Sequence, residues 1–194
     1  MPRLASRFSE GNEWQIKDYL AKTIQFSCFL AFPMTIGIAM IAPNLIPCYL
    51  GNEFSQVIQA VQVLSPIIVL CSLVGISGDQ YLVATKQTSV MTYSYFCAAI
   101  VNVIIDALLI PQYGVMGAAI GTIAAYIVSL VIQYRNMLKK VKIQRNIMKS
   151  CMYFIKSLPM LFCVYAIGKW SPANWKTTLL QIAAGISIYF LTLI

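Results

Sequence analysis

Apolar residues along this chain fall into six runs, at 23–50, 54–84, 89–110, 115–137, 147–167 and 177–194, separated by short polar links. Each is long enough, or nearly so, to cross a hydrocarbon layer of roughly 30 Å as a helix rising about 1.5 Å per residue. The pattern predicts an all-α integral membrane protein, a bundle of six transmembrane helices. Wholly helical, the first run would reach about 42 Å, so it must tilt, bend or end early. Pro33, Gly37, Pro43 and Pro47 offer the bends, since each proline removes one backbone hydrogen bond. Ahead of it, residues 1–22 are polar and mixed in charge, without the apolar stretch of a signal peptide. Asn12 followed by Gln15 resembles a capping box, and Trp14, Ile16, Tyr19 and Leu20 would give an amphipathic juxtamembrane segment its apolar side.

Polar residues inside the runs are the candidates for function. In the second run Ser65, Ser72 and Asp79 recur by sevens, with Gly75 between and Lys86 just beyond. On a straight helix such spacing drifts by only about 20° per repeat, which sets them along one side. An aspartate at the bilayer centre costs roughly 2.5 to 3.5 kcal/mol, so Asp79 should face protein or water. Two readings stand level: a cavity-lining stripe, or an interfacial Asp79–Lys86 charge pair. The third run places Tyr95, Ala98, Asn102 and Asp106 on one face by three- and four-residue steps. An amide at the depth of Asn102 needs a partner, either a neighbouring helix or the water of a pathway. Between the third and fourth runs lies an uncharged hinge, 109–122, in which Pro111 and Gly114 should stop one helix and Gly117 open the next. Gly117, Gly121, Ala125 and Ser129 then recur every fourth residue, a face with little side-chain bulk on which another helix can pack closely.

Composition narrows the chemistry. Of 194 residues 59% are hydrophobic and 10% charged, and the mean hydropathy is +0.75; a soluble domain carries roughly 25% charged residues. The net charge of +8 is not gathered into a basic patch interleaved with aromatics, so nucleic acid is not an expected partner. Six cysteines are scattered singly, with neither metal-site pairs nor a disulfide framework, and read as small packing residues. The absence of histidine and the presence of only six carboxylates leave most acid–base and zinc chemistry without donors. The expectation is therefore no catalytic residue, no metal and no cofactor. The basic residues instead mark topology: eleven fall on one side of the six runs and two on the other. Arg135, Lys139, Lys140, Lys142, Arg145 and Lys149, around a basic loop at 138–146, dominate that asymmetry. The positive-inside rule then puts this loop and both termini in the cytoplasm. Trp170 and Trp175 suit an aromatic belt at the opposite interface. The last run ends with no polar tail, which gives the chain the look of a truncated one.

Several stretches together carry a resemblance: Pro2-Arg-Leu-Ala-Ser6, Gly51-Asn-Glu-Phe54 after the proline-bearing run, Gln80-Tyr-Leu-Val-Ala-Thr-Lys86, and Asn102 followed by the 109–122 hinge. In order and spacing they are similar to the polysaccharide biosynthesis flippases, the O-antigen or Wzx-type branch of the multidrug/oligosaccharidyl-lipid/polysaccharide exporter superfamily. The resemblance runs over almost the whole chain but matches only the carboxy-terminal part of such a two-lobed exporter. Residues 23–137 resemble four helices of that lobe, and 147–194 two additional terminal helices. It implies translocation of an undecaprenyl-linked oligosaccharide across the bacterial cytoplasmic membrane, among membrane lipids, by a protein inactive without its amino-terminal lobe. The better-known basic cavity residues of the family fall outside the matched part. The rivals are a multidrug and toxin extruder, which would favour acids such as Asp79 and Asp106, and a membrane fragment that transports nothing. A glycosyltransferase or polymerase would need acidic or histidine clusters in sizeable loops, which this chain lacks.

Overall fold

A computed structural model describes residues 13–141, 144–171 and 174–193, and all regular structure among them is helical. The proposed cap at Asn12 and the stretch from Pro2 to Ser6 lie outside the described residues, as does the side chain of Trp14. The order is α1 (Glu13–Tyr49), a 3₁₀ turn (Asn52–Phe54), α2 (Ser55–Leu64), α3 (Ile67–Gly75), a π-helical segment (Ile76–Leu82), α4 (Thr88–Tyr113), α5 (Val115–Lys140), α6 (Gln144–Trp170) and α7 (Trp175–Leu191). Three helical stretches are long and apolar enough to span a membrane: Ile16–Tyr49, Thr88–Tyr113 and Val115–Lys140. A fourth span results if Asn52–Leu64 and Ile67–Leu82, bent by 42°, are taken as one. The chain is thus an all-α, multi-pass membrane protein, with three or four such spans among the described residues where the runs predicted six. α6 and α7 occupy the fifth and sixth runs, and α7 has 17 residues, a rise of about 26 Å.

The helices pack in sequence across the bundle. α4 lies along α5; α5 lies on α2 and α3; these lie on α1; and α1 carries α6 and α7 on its far side. One apolar cluster joins Ile16, Leu20, Ile24 and Cys28 of α1 to Ile76, Tyr81 and Leu82 of the π segment and Met137 of α5. A second joins Met160 and Val164 of α6 and Tyr189 of α7 to Phe29, Met40 and Ile41 of α1. Ile16 and Leu20 therefore belong to the core. From Glu13 on, the chain forms the first turns of α1. The outer faces stay apolar where no helix covers them: Phe96, Ile100, Val103, Ile104 and Leu108 on α4, and Phe154, Ile155, Phe162 and Tyr165 on α6 are all exposed. In a membrane protein such faces meet lipid or another membrane helix.

α1 does not end early as one of its options allowed. It runs as one helix of 37 residues through Pro33, Pro43 and Pro47, about 55 Å long. A proline inside a helix leaves the carbonyl four residues earlier without its amide donor, and in lipid such a group needs a replacement. The structure supplies one for Pro33 and one for Pro43 of α1, and one for Pro66 at the break before α3. The carbonyl of Phe29, four before Pro33, accepts from the Tyr189 hydroxyl of α7 at 2.7 Å. The carbonyl of Ala39, four before Pro43, accepts from Nε2 of Gln62 on α2 at 3.1 Å. The carbonyl of Gln62, four before Pro66, accepts from the Ser65 hydroxyl at 2.9 Å. Pro33 and Pro43 thus act as docking points, each offering a free acceptor that a neighbouring helix reaches.

The Tyr189 hydroxyl and Pro33 should therefore be energetically coupled. Tyr189→Phe should lower the unfolding free energy of the chain in detergent by about 0.6 to 1.7 kcal/mol, the range for one interhelical bond in a membrane protein. In a Pro33→Ala background α1 recovers its own amide donor to Phe29, and Tyr189→Phe should then cost almost nothing. Equal losses in both backgrounds, measured by denaturant titration of the purified variants, would show that the Tyr189 hydroxyl does not serve the carbonyl freed by Pro33.

Candidate functional site

The polar residues of the middle helices sort into three groups around α5. The first is a buried network. Gln133 of α5, wholly buried, accepts from the Ser77 hydroxyl at 2.8 Å through Oε1, and donates through Nε2 to Ser94 of α4 at 2.9 Å and Ser129 at 3.1 Å. One amide thereby ties the π segment to α4 and α5. Ser77 also reaches the carbonyls of Leu73 and Val74, where the wider π winding, seen in the bond from the Val83 amide to the Gly78 carbonyl, disturbs the regular ladder. Gly78 is small for a reason: a Cβ there would stand 3.0 Å from Gln133 Oε1 and 3.4 Å from the Tyr95 hydroxyl. Sequence reasoning did not single out Gln133, Ser77 or Ser94. Their signal was present, since Gln133 follows Ser129 by one turn on the small face of an otherwise apolar run.

The second group is an open groove of about 370 Å³ between the bent helix and the α4–α5 pair. Cys71, Val74, Gly75 and Asp79 form one wall, Tyr95 and Ala98 a second, and Ala125, Tyr126 and Ser129 the third. Asp79 is exposed. Among the described residues it has no ion pair, so the alternative Asp79–Lys86 pair is not formed; the described pair is Lys22 with Asp18 at 2.7 Å. Lys86 instead takes a left-handed backbone, φ 57°, in the turn before α4. A carboxylate flanked by two tyrosines and a serine offers acceptors for hydroxyl groups and flat apolar faces beside them.

Higher on the α4–α5 pair is the third group. Asn102 and Asp106 lie over Gly121. A Cβ at Gly121 would collide with Asp106 Oδ1 and stand 3.3 Å from Asn102 Nδ2. Asp106 Oδ1 is buried and has no hydrogen-bond partner. One turn further, Gly117 meets the α4 backbone itself: a Cβ would stand 2.5 Å from the carbonyl carbon of Leu109 and 2.7 Å from the Ile110 nitrogen. The small face thus does two jobs. Gly117 and Gly121 admit α4, while Ala125 and Ser129 line the groove.

The structure parts company with the sequence pattern at two places. Ser65, Ser72 and Asp79 do not share one straight stripe, because Ser65 and Pro66 sit at the 42° break and the π segment shifts the register before Asp79. Ser65 is buried, and both Ser65 and Ser72 bond carbonyls of their own helix, Gln62 and Val69, each at 2.9 Å; neither lines the groove. At the hinge, Pro111 does not stop α4, which continues to Tyr113. Gly114, with φ 53°, makes the turn alone, and α5 opens at Val115 rather than Gly117. Pro111 costs α4 one backbone hydrogen bond, as any proline inside a helix does, and the helix continues past it.

A family model described as lipid II flippase MurJ matches residues 1–185. The chain belongs to that family. The probable low-salt glycan biosynthesis flippase Agl15 of Haloferax volcanii is 24% identical to it over 152 residues, 77% of this chain and 32% of the relative. The chain therefore spans about a third of the length of that curated flippase. No solved structure matches it. Membership in the MurJ flippase family agrees with the resemblance read from the sequence: flippases are transporters, which move a lipid across the membrane rather than transform it. Among the described residues no three of Cys, Asp and Glu gather as a metal site.

Proposed function

We propose that this chain is a carboxy-terminal helix lobe of a transporter that carries a lipid-linked oligosaccharide across the bacterial cytoplasmic membrane. The carrying observation is the groove that brings Asp79, Tyr95, Tyr126 and Ser129 together inside a flippase-family bundle. Asp79 accepts hydrogen bonds from sugar hydroxyls, and the tyrosines stack on the sugar ring faces. Asn102 and Asp106 continue the polar path along α4, and Ser65 and Ser72 hold the bent helix together beside it. In transporters built of two bundles the substrate sits between them, and one rocks against the other. This lobe alone is accordingly inactive; an amino-terminal lobe must face the groove. Expression of residues 1–194 in a flippase-deficient cell should leave surface polysaccharide absent, and co-expression with the amino-terminal lobe of a relative should restore it. Restoration by the chain alone would overturn the two-lobe reading. Export of an organic cation in place of glycan by the paired lobes would assign the groove to drug extrusion, the reading that Asp79 between two tyrosines also favours.

The proposed orientation has both ends and the α5–α6 connection in the cytoplasm. Single-cysteine variants in a background cleared of native cysteines should label from outside at Glu53 and Gln112, and only after permeabilisation at Lys140. Labelling of the Lys140 variant from outside would reverse the topology.

A further inference from the structure

We infer that a second groove, at the Lys139 end of the α4–α5 pair, holds the phosphate headgroup of an anionic membrane phospholipid. It has a volume of about 400 Å³ and is lined by Ser89, Val90 and Tyr93 of α4 and by Ile132, Arg135, Asn136 and Lys139 of α5. It shares no residue with the Asp79 groove. Arg135 and Lys139 are one turn apart on α5, both exposed, and no acidic residue lines the groove. Among the described residues neither cation has an ion pair. Two unpaired cations side by side repel each other, and an anion between them removes that cost. Arginine in particular fits a phosphodiester through two parallel hydrogen bonds.

Three features favour a lipid over a soluble anion. The groove lies at the end of two membrane spans, where Lys140 closes α5 and Thr88 opens α4, the level at which headgroups reside. Val90, Ile132 and the ring of Tyr93 line the same groove and give an acyl chain apolar contact next to the charges. Asn136 adds a side-chain oxygen that is buried without a hydrogen-bond partner; a headgroup hydroxyl, such as those of a glycerol headgroup, donates to it.

The test is native mass spectrometry of the full chain in detergent, titrated with phosphatidylglycerol or with phosphatidylcholine of the same acyl length. Phosphatidylglycerol should be retained at least about tenfold more strongly, equivalent to about 1.4 kcal/mol. The double variant Arg135→Gln/Lys139→Gln should lose that preference. The control Lys169→Gln/Lys176→Gln, which removes the same charge at exposed positions on other helices, should keep it. Circular dichroism would establish that both doubles remain folded. Equal loss in both double variants would reduce the effect to overall charge and overturn the site. Displacement of the lipid by millimolar inorganic phosphate would assign the cations to a soluble anion and overturn the lipid assignment.

Discussion

Gly117→Leu is expected to bring the membrane-inserted, folded chain below detection, and Gly117→Ala to reduce it several-fold. The reason is the identity of the atoms a side chain would meet. A Cβ at Gly117 stands 2.5 Å from the carbonyl carbon of Leu109, 2.6 Å from its oxygen and 2.7 Å from the nitrogen of Ile110. These are backbone atoms of α4, and no rotamer change clears them. The two helices must separate, and their contact is close packing that lipid cannot replace by hydrophobic burial. Overpacking of this kind costs roughly 1 to 3 kcal/mol for a single added group, a large share of a domain's stability of about 5 to 15 kcal/mol. Gly114→Ala is the comparison. Gly114 takes φ 53° and ψ −127°, a conformation that side-chain-bearing residues rarely adopt, but has nothing within 4 Å of a Cβ, so alanine there meets backbone strain of about 1 to 3 kcal/mol and no collision. Abundance and thermal stability in detergent, by fluorescence size-exclusion chromatography, should fall below wild type in both alanine variants, by backbone strain at Gly114 and by helix separation at Gly117, and Gly117→Leu should fall below Gly117→Ala. A Gly117→Ala protein as stable as wild type would contradict the close approach of α4 to α5.

The second large effect concerns transport. With the chain paired to an amino-terminal lobe, Asp79→Asn and Asp106→Asn should each lower glycan translocation by about tenfold or more, equivalent to about 1.4 kcal/mol in the barrier, at unchanged abundance. Both replacements keep size and shape and remove charge. Asp79 is exposed in its groove and has no ion pair among the described residues, so its loss takes no structural contact with it. Asp106 carries a buried oxygen without a partner, so neutralising it removes a cost to the folded state instead of adding one. Asn102→Leu should act in the same direction. Ser65→Ala and Ser72→Ala should leave transport nearly intact, because their hydroxyls are committed to the carbonyls of Gln62 and Val69. Gly121→Ala gives a third signature: a Cβ displaces the Asp106 carboxylate, an adjustable side chain, rather than backbone. It should therefore reduce transport more than stability. If abundance fell in step with activity across the aspartate variants, they would be helix-packing residues and not part of a pathway.

What the sequence determined by itself was class and local chemistry. Apolar runs of membrane length can satisfy their backbone only as helices, so the all-α membrane architecture followed from composition and run length alone. The four-residue spacing from Gly117 to Ser129 likewise specified a face without bulk, and Pro33 and Pro43 specified which carbonyls would lack donors. None of these patterns names its partner. That Tyr189 serves Phe29, that Gln62 serves Ala39 and that Gln133 gathers Ser77 and Ser94 are relations between elements up to 160 residues apart in the chain. Tertiary packing alone brings such groups within hydrogen-bond range. The same limit explains the stripe of Ser65, Ser72 and Asp79: its heptad logic assumes one straight helix. Whether a run stays straight depends on how a proline break and a π-helical segment are braced by neighbours, as Gln133 and Tyr95 brace the turn at Gly78. That bracing moved Asp79 away from the two serines and set it opposite Tyr95 and Tyr126, because the wider π turn rotates every following side chain around the helix axis.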